Sequence, residues 1–171
     1  MTVLGIDPGP TESAYAVWDG QWIIQFATVP NEVLLQDMRA LVSVPDHCAI
    51  EQIRGYGLTA GNETFDTCWW SGRFFERFGE RWSTMLPRKT IATHLCGHSK
   101  PGDKFIRQAL IDRLGAPGTK RQPGPTYGVT GHVWAALAVS VTWYDLHQAG
   151  LPLEASEARP RKNLDTASRL V

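Results

Sequence analysis

Two short apolar runs in this chain each end on a carboxylate, and that repetition constrains the fold more than any other feature. The first is Thr2-Val3-Leu4-Gly5-Ile6-Asp7, which turns at once through Pro8-Gly9. The second is Cys48-Ala49-Ile50-Glu51, followed by a polar, glycine-bearing loop from Gln52 to Gly57. Runs of this length and composition read as buried strands, bounded by turn residues. Acids are depleted in strands, so one at the rim of a hydrophobic strand has a task there. For Asp7 the bland task is to accept hydrogen bonds from the following turn. Two such strands point further. Adjacent and parallel, they would set Asp7 and Glu51 side by side at one sheet end, where their repulsion is tolerable only with a cation between them.

The segments between and after these runs have clear periods. Glu12 to Trp18 reads as a second strand, Asp19-Gly20 as a hairpin turn and Gln21 to Val29 as a third strand, which together with the first make an antiparallel meander. Asn31 is placed to cap a helix over Glu32 to Val42. Glu63 to Trp82 reads as a long helix with Phe65, Cys68-Trp69, Phe75, Phe78 and Trp82 along one side, as core or subunit interface. Arg73, Arg77 and Arg81 recur at four-residue spacing as a basic ridge on another side of it. Ser83 to Leu86 reads as a strand and Arg88 to Leu95 as a short helix. The loop Gly97 to Lys104 runs into a helix from Asp103 to Leu114, whose N-terminus and lysines could meet phosphate oxygens. Ala116 to Thr126, rich in Pro and Gly and carrying Lys120 and Arg121, reads as a mobile loop near the site or over the substrate. In the last informative stretch, Gly131 to Val141, Ala135, Ala136, Ala138 and Ser140 let a helix lie very close to a sheet. His132 falls in its first turn, where it can point at the same sheet end as Asp7 and Glu51.

Composition narrows the class. A chain of 171 residues with 43% hydrophobic and 20% charged residues is ordinary globular protein with room for one real core. No apolar run approaches the roughly 18 residues that cross a bilayer, and the N-terminus has no secretory signal pattern. Cys48, Cys68 and Cys96 are odd in number and widely spaced, which fits no disulfide framework and suggests a reducing cytoplasm. The formal net charge is zero, but its distribution is uneven. Met1 to Glu51 holds seven acidic residues against one basic residue, whereas Arg73 to Arg121 holds eleven basic against four acidic. A basic surface beside a carboxylate pair suits an enzyme that grips a polyanion and places metal ions against it.

Three blocks then resemble the RuvC-like Holliday junction resolvases, within the ribonuclease H-like superfamily, and their small phage and prophage members in particular. They are Leu4-Gly5-Ile6-Asp7-Pro8-Gly9, Ala49-Ile50-Glu51-Gln52, and the closing helix from His132 to Thr142. Lys100 to Leu114 resembles that family's lysine-bearing loop and following helix. The resemblance implies an α/β fold, a five-stranded mixed sheet flanked by helices, in a domain of residues 1–150; 151–171, polar and charged without a clear period, reads as a C-terminal tail outside it. It implies a homodimer that nicks four-way junctions or other branched DNA with Mg²⁺ or Mn²⁺. Asp7 and Glu51 carry over as the acidic metal site, and His132 lies where the family has Asp or His. The family usually has an Asp one turn later; here that position is Ala135, and Asp145 lies several turns further on.

The chemistry expected of such a site is in-line displacement, with divalent cations activating a water and stabilising the leaving 3′ oxygen. A His among the ligands makes Mn²⁺ a plausible better activator than Mg²⁺. Lys100, Lys104 and Arg107, with Arg73, Arg77, Lys120 and Arg121, are the candidate phosphate contacts. Tyr56 is the candidate for stacking at the branch point. Two alternatives stay open: a branched-DNA-binding protein of the same fold with weak or no cleavage, and a nuclease for flaps or RNA. An actin-like ATPase shares the carboxylate-ended first strand but needs two large halves, for which the chain is too short.

Overall fold

The computed structural model describes residues 1–41, 45–55 and 59–152, so Tyr56 and the tail from residue 153 lie outside the described residues. The chain forms β1 (Val3–Asp7), β2 (Glu12–Trp18), β3 (Ile23–Pro30), α1 (Asn31–Asp37), β4 (His47–Gln52) and α2 (Asn62–Phe78). A 3₁₀ turn (Glu80–Trp82) then leads to β5 (Ser83–Pro87), α3 (Arg88–Cys96), α4 (Asp103–Leu114) and α5 (Val133–Gln148). The strands make one mixed sheet in the order β3-β2-β1-β4-β5. β1, β2 and β3 pair antiparallel, as a meander with short connections must. β1 and β4 pair parallel, as do β4 and β5.

The parallel pairing decides where the acids go. Ile6 is in register with Ile50, so Asp7 and Glu51 follow as neighbours at the same sheet end. Strand alternation turns Leu4, Ile6, Cys48 and Ile50 toward α1 and α2, where they pack with Leu34, Trp70, Phe74 and Phe78. Val3, Ala49 and the two acids' side of the sheet face α3, α4 and α5, where Ile91, Leu110, Leu137 and Val141 complete the second core layer. Helices thus cover both faces, the arrangement a sheet with buried parallel strands requires.

Two expectations change, for the start of α1 and for the buried face of α2. Asn31 does not cap α1 with its side chain; the helix starts after Pro30 and ends at Asp37. Its amide is instead buried, accepting from the Ser13 hydroxyl at 2.6 Å and donating to the Gly9 carbonyl at 3.0 Å. On α2 the buried face is Thr67, Trp70, Ser71, Phe74 and Phe78, so of the expected aromatic stripe Phe65, Trp69 and Trp82 are exposed. The tryptophan pair offers two stripes one residue apart, and the one carrying Trp70, Phe74 and Phe78 is the one that packs on Leu4, Ile6 and Ile50 of the sheet. Gly79, at φ +110°, ends the helix before Trp82. The stretch from Ala116 to Thr126 is a loop, as expected, tied at its base: Gly118 pairs with Pro123, and the buried Thr126 hydroxyl donates to the Gly115 carbonyl at 2.9 Å. No described helix is long and apolar enough to cross a membrane, and all three cysteines are free.

Candidate active site

Asp7 is the last residue of β1 and is held there by the turn that follows it. The Gly9 amide donates to Ser13 at 3.2 Å, and the Ser13–Asn31–Gly9 bonds tie that turn to β2 and α1. A Cβ on Gly9 would lie 2.4 Å from the Glu12 carbonyl oxygen, so the turn needs glycine. Two residues before Asp7, glycine has a second task. A Cβ on Gly5 would lie 2.2 Å from the Ala136 carbonyl oxygen and 2.7 Å from the Ser140 nitrogen, so α5 rests directly on the β1 backbone. The small residues of α5 permit that approach from the helix side, as the sequence pattern led one to expect.

The close contact delivers His132, at the start of α5, onto Asp7. Its Nδ1 lies 2.9 Å from Asp7 Oδ2. The imidazole is 81% exposed while the Asp7 side chain is only 16% exposed, so the ring caps the carboxylate and presents its other edge to solvent. Glu51 is deeper, with its side chain 7% exposed. Burial raises the pKa of Asp7 above the ordinary aspartate value, opposed by the hydrogen bond and charge of His132. Burial likewise raises Glu51, opposed chiefly by the charge of Arg88. Each acid is less willing to ionise than it would be in water, because burial disfavours the charged form.

Two residues join the site that sequence reasoning did not assign to it. Arg88, the first residue of α3, places Nη1 at 3.2 and 3.3 Å from the two oxygens of Glu51. Its Nη2 pairs with the carboxylate of Asp103, in the first turn of α4. The signal for Arg88 was available: β5 is parallel to β4 with Gln52 opposite Pro87, so the residue after β5 emerges at the same sheet end as Glu51. For Asp103 there was no local signal. Asp7, Glu51, Arg88, Asp103, His132, Trp134 and Ala135 line one open cleft of about 560 Å³. A second cleft of about 430 Å³, on the other side of Asp7 and His132, is lined by Pro8, Thr11, Glu12, Glu63 and Thr67.

Among the described residues, no three His, Cys, Asp or Glu side chains converge as they stand on a point that could hold a metal. The donor chemistry nonetheless fits a hard divalent ion. Asp7 and Glu51 are buried oxygen donors on rigid strand ends, and the guanidinium bridging Glu51 to Asp103 marks the cleft as a place where positive charge is stabilised. Ala135 faces the cleft with a methyl group where a further carboxylate would be useful. Asp145 cannot replace it: it accepts from Arg113 at 2.6 Å and pairs with His94 at 2.6 Å. That ties His94 into a structural contact between α3, α4 and α5.

The candidate DNA-contacting cations fall into distinct groups. Lys100, Lys104 and Arg107 are exposed in and after the loop that leads into α4. The Arg107 guanidinium stacks 5.2 Å over Trp134, which itself lines the cleft, and so stands beside the acids. Lys120 and Arg121 are exposed at the tip of the Gly118–Pro123 turn. Arg73 and Arg77 do not form a free ridge. Arg73 covers the rings of Trp69 and Trp70 at 4.6 and 4.4 Å, and Arg77 donates to the Leu35 carbonyl at 3.2 Å.

No protein-family profile matches the sequence, and no curated protein matches it. Solved structures do. Thermus thermophilus RuvC is 18% identical, with 88% of this chain and 97% of that chain covered at a TM-score of 0.65. T. thermophilus RuvC in complex with Holliday junction substrate is 19% identical, with 88% and 96% covered at the same TM-score of 0.65. With its mixed five-stranded sheet and flanking helices, the chain has the RuvC-type, ribonuclease H-like fold.

Proposed function

We propose that this protein is a divalent-metal-dependent endonuclease that nicks four-way junctions or related branched DNA, and that it works as a homodimer. The observation that carries the reading is the meeting of three side chains from separate parts of the chain. Asp7 and Glu51 stand side by side at one sheet end, and α5 sets His132 on Asp7. Asp7 and Glu51 would hold the metal, Mg²⁺ or Mn²⁺, with His132 beside them. When bound, such an ion activates a water and stabilises the leaving 3′ oxygen. A neutral His132 ring that donates from Nδ1 to Asp7 presents its other nitrogen, Nε2, on the exposed edge. That nitrogen can accept a proton from the attacking water. Lys100, Lys104 and Arg107 would grip phosphates beside the cleft, with Lys120 and Arg121 further out. Arg73 and Arg77 would contribute only if released from their present partners. Branched DNA as substrate is supported by the fold shared with a RuvC solved on a Holliday junction substrate. The dimer is supported by the aromatic face of α2, where Phe65 is 64% and Trp69 59% exposed.

The test is cleavage of a synthetic four-way junction, with linear duplex and flap controls, in Mg²⁺ and in Mn²⁺. Wild type should make paired nicks and Asp7→Asn should lose at least about a hundredfold in rate, since a misplaced metal forfeits several kcal/mol of charge stabilisation. Ala135 favours a second reading, a junction-binding protein that cuts poorly. Ala135→Asp then discriminates: faster cutting means a nuclease short of a ligand, and tight binding without nicks by either form means a binder.

A further inference from the structure

Glu51 is nearly sealed from water, and the cation that faces it is part of the protein. Arg88 reaches both Glu51 oxygens with one nitrogen and Asp103 with the other, so a single guanidinium links β4, α3 and α4 across the cleft. Its position is imposed by the backbone. β5 ends on Pro87 opposite Gln52, and α3 begins at Arg88, so the side chain leaves the sheet at the level of Glu51. A guanidinium is not deprotonated in folded proteins. The cation is therefore permanent. Across the same cleft, α5 offers the methyl of Ala135 in place of a donor. One side of the cleft thus has too few ligands for a second metal, and the other already holds a fixed positive charge.

We propose that Arg88 is a built-in cation that takes the place of a second divalent ion, so that the site carries one metal per chain, on the Asp7 side. This rests on the nuclease reading above and deepens it. Arg88 is a positioning residue: it compensates Glu51 and holds that carboxylate and Asp103 in place, and its charge repels another divalent ion. A guanidinium is suited to this because its rigid planar fork fixes two carboxylates relative to each other, whereas an ammonium is a point charge on a flexible stem.

The test counts metal rather than activity. Mn²⁺ binding to the full chain is measured by calorimetry and by the loss of the free-ion electron paramagnetic resonance signal, alongside the melting temperature in chelator. Wild type should bind one Mn²⁺ per chain. Arg88→Met keeps the apolar stem and removes the charge. It should melt lower in chelator, because Glu51 is left buried and uncompensated, and it should bind Mn²⁺ with stoichiometry rising toward two or with affinity at least tenfold higher. Arg88→Lys, the variant that secures folding, should stay at one Mn²⁺ while losing part of the stability in chelator. Two Mn²⁺ in wild type, or one Mn²⁺ with unchanged affinity in Arg88→Met, overturns the assignment and leaves the nuclease reading standing. No Mn²⁺ bound by any form, together with no junction cleavage, overturns both.

Discussion

At the scale of single residues, the site is built from groups held away from their ordinary protonation. Asp7 and Glu51 both have raised pKa values, Asp7 from 3.8 and Glu51 from 4.5, with burial the leading cause. Their protonated forms are favoured in the fold. Their contribution to stability is therefore present below the ordinary carboxylate range and lost as pH rises through their raised folded values. At neutral pH ionisation of the pair thus weakens the fold, and a divalent cation that binds the ionised pair should restore what is lost. The melting-temperature gain on adding Mn²⁺ should be larger at pH 8 than at pH 5 and absent in Asp7→Asn; an equal gain at both values would argue against these ligands. His47 runs the opposite way. Burial, then the charge of His147, pushes its pKa down to about 4 from 6.5. That stability is present above 6.5 and lost as pH falls through about 4. His47 stacks on Trp143 at 3.9 Å, so His47→Phe should keep the stack and flatten the acid limb of a melting curve taken against pH.

At the scale of elements, α5 is the part that makes a site out of a sheet. It can do so only because Gly5 leaves the β1 backbone bare beneath Ala136 and Ser140. Gly5→Ala pushes a methyl group into the helix backbone and should cost about 1–3 kcal/mol or more. Because the displaced helix carries His132 off Asp7, cleavage should fall further than the loss of folded protein explains, which denaturant titration and junction assays on the same sample would separate. The far end of α5 is tied down by Asp145. Burial alone would raise its pKa, but hydrogen bonds from Arg113 and His94 outweigh that and lower it, so its stabilisation is lost as pH falls through the folded value. Arg113 is partly exposed and solvent screens its share. Asp145→Asn should accordingly cost about 1–2 kcal/mol in urea unfolding, with the site otherwise intact. On α2, Trp70 is buried and Trp69 exposed. Trp70→Ala should cost about 3–5 kcal/mol, whereas Trp69→Ser should leave the monomer folded and weaken self-association in sedimentation.

At the scale of the whole molecule, the neutral total charge hides a division of labour. Acids concentrate in the first 51 residues and bases in the middle of the chain. The fold brings the two together, since α4 with Lys104 and Arg107 packs against α5 beside the acidic sheet end. If Lys100, Lys104 and Arg107 each neutralise a phosphate, removing one should lower the slope of log affinity against log salt by about 1 without changing preference among junction sequences. A slope unchanged in the triple alanine variant would place the DNA elsewhere.

What the sequence determined by itself was what local physics writes into neighbouring residues. The strands ending on Asp7 and Glu51, the meander between them and the helix from Asp103 to Leu114 are set by apolar period and turn residues a few positions apart. So is the small-residue face that lets α5 lie on β1. Two decisions were left to the tertiary structure. Which stripe of α2 is buried depended on the partner surface of Leu4, Ile6 and Ile50, because two overlapping stripes have the same helical period. The assembly of Arg88 with Glu51, 37 residues earlier, and with Asp103, 15 residues later, depended on the parallel pairing of β4 and β5 and the docking of α4. Contacts at that separation leave no periodic trace in the chain, since they are chosen by how whole elements pack rather than by the residues beside them.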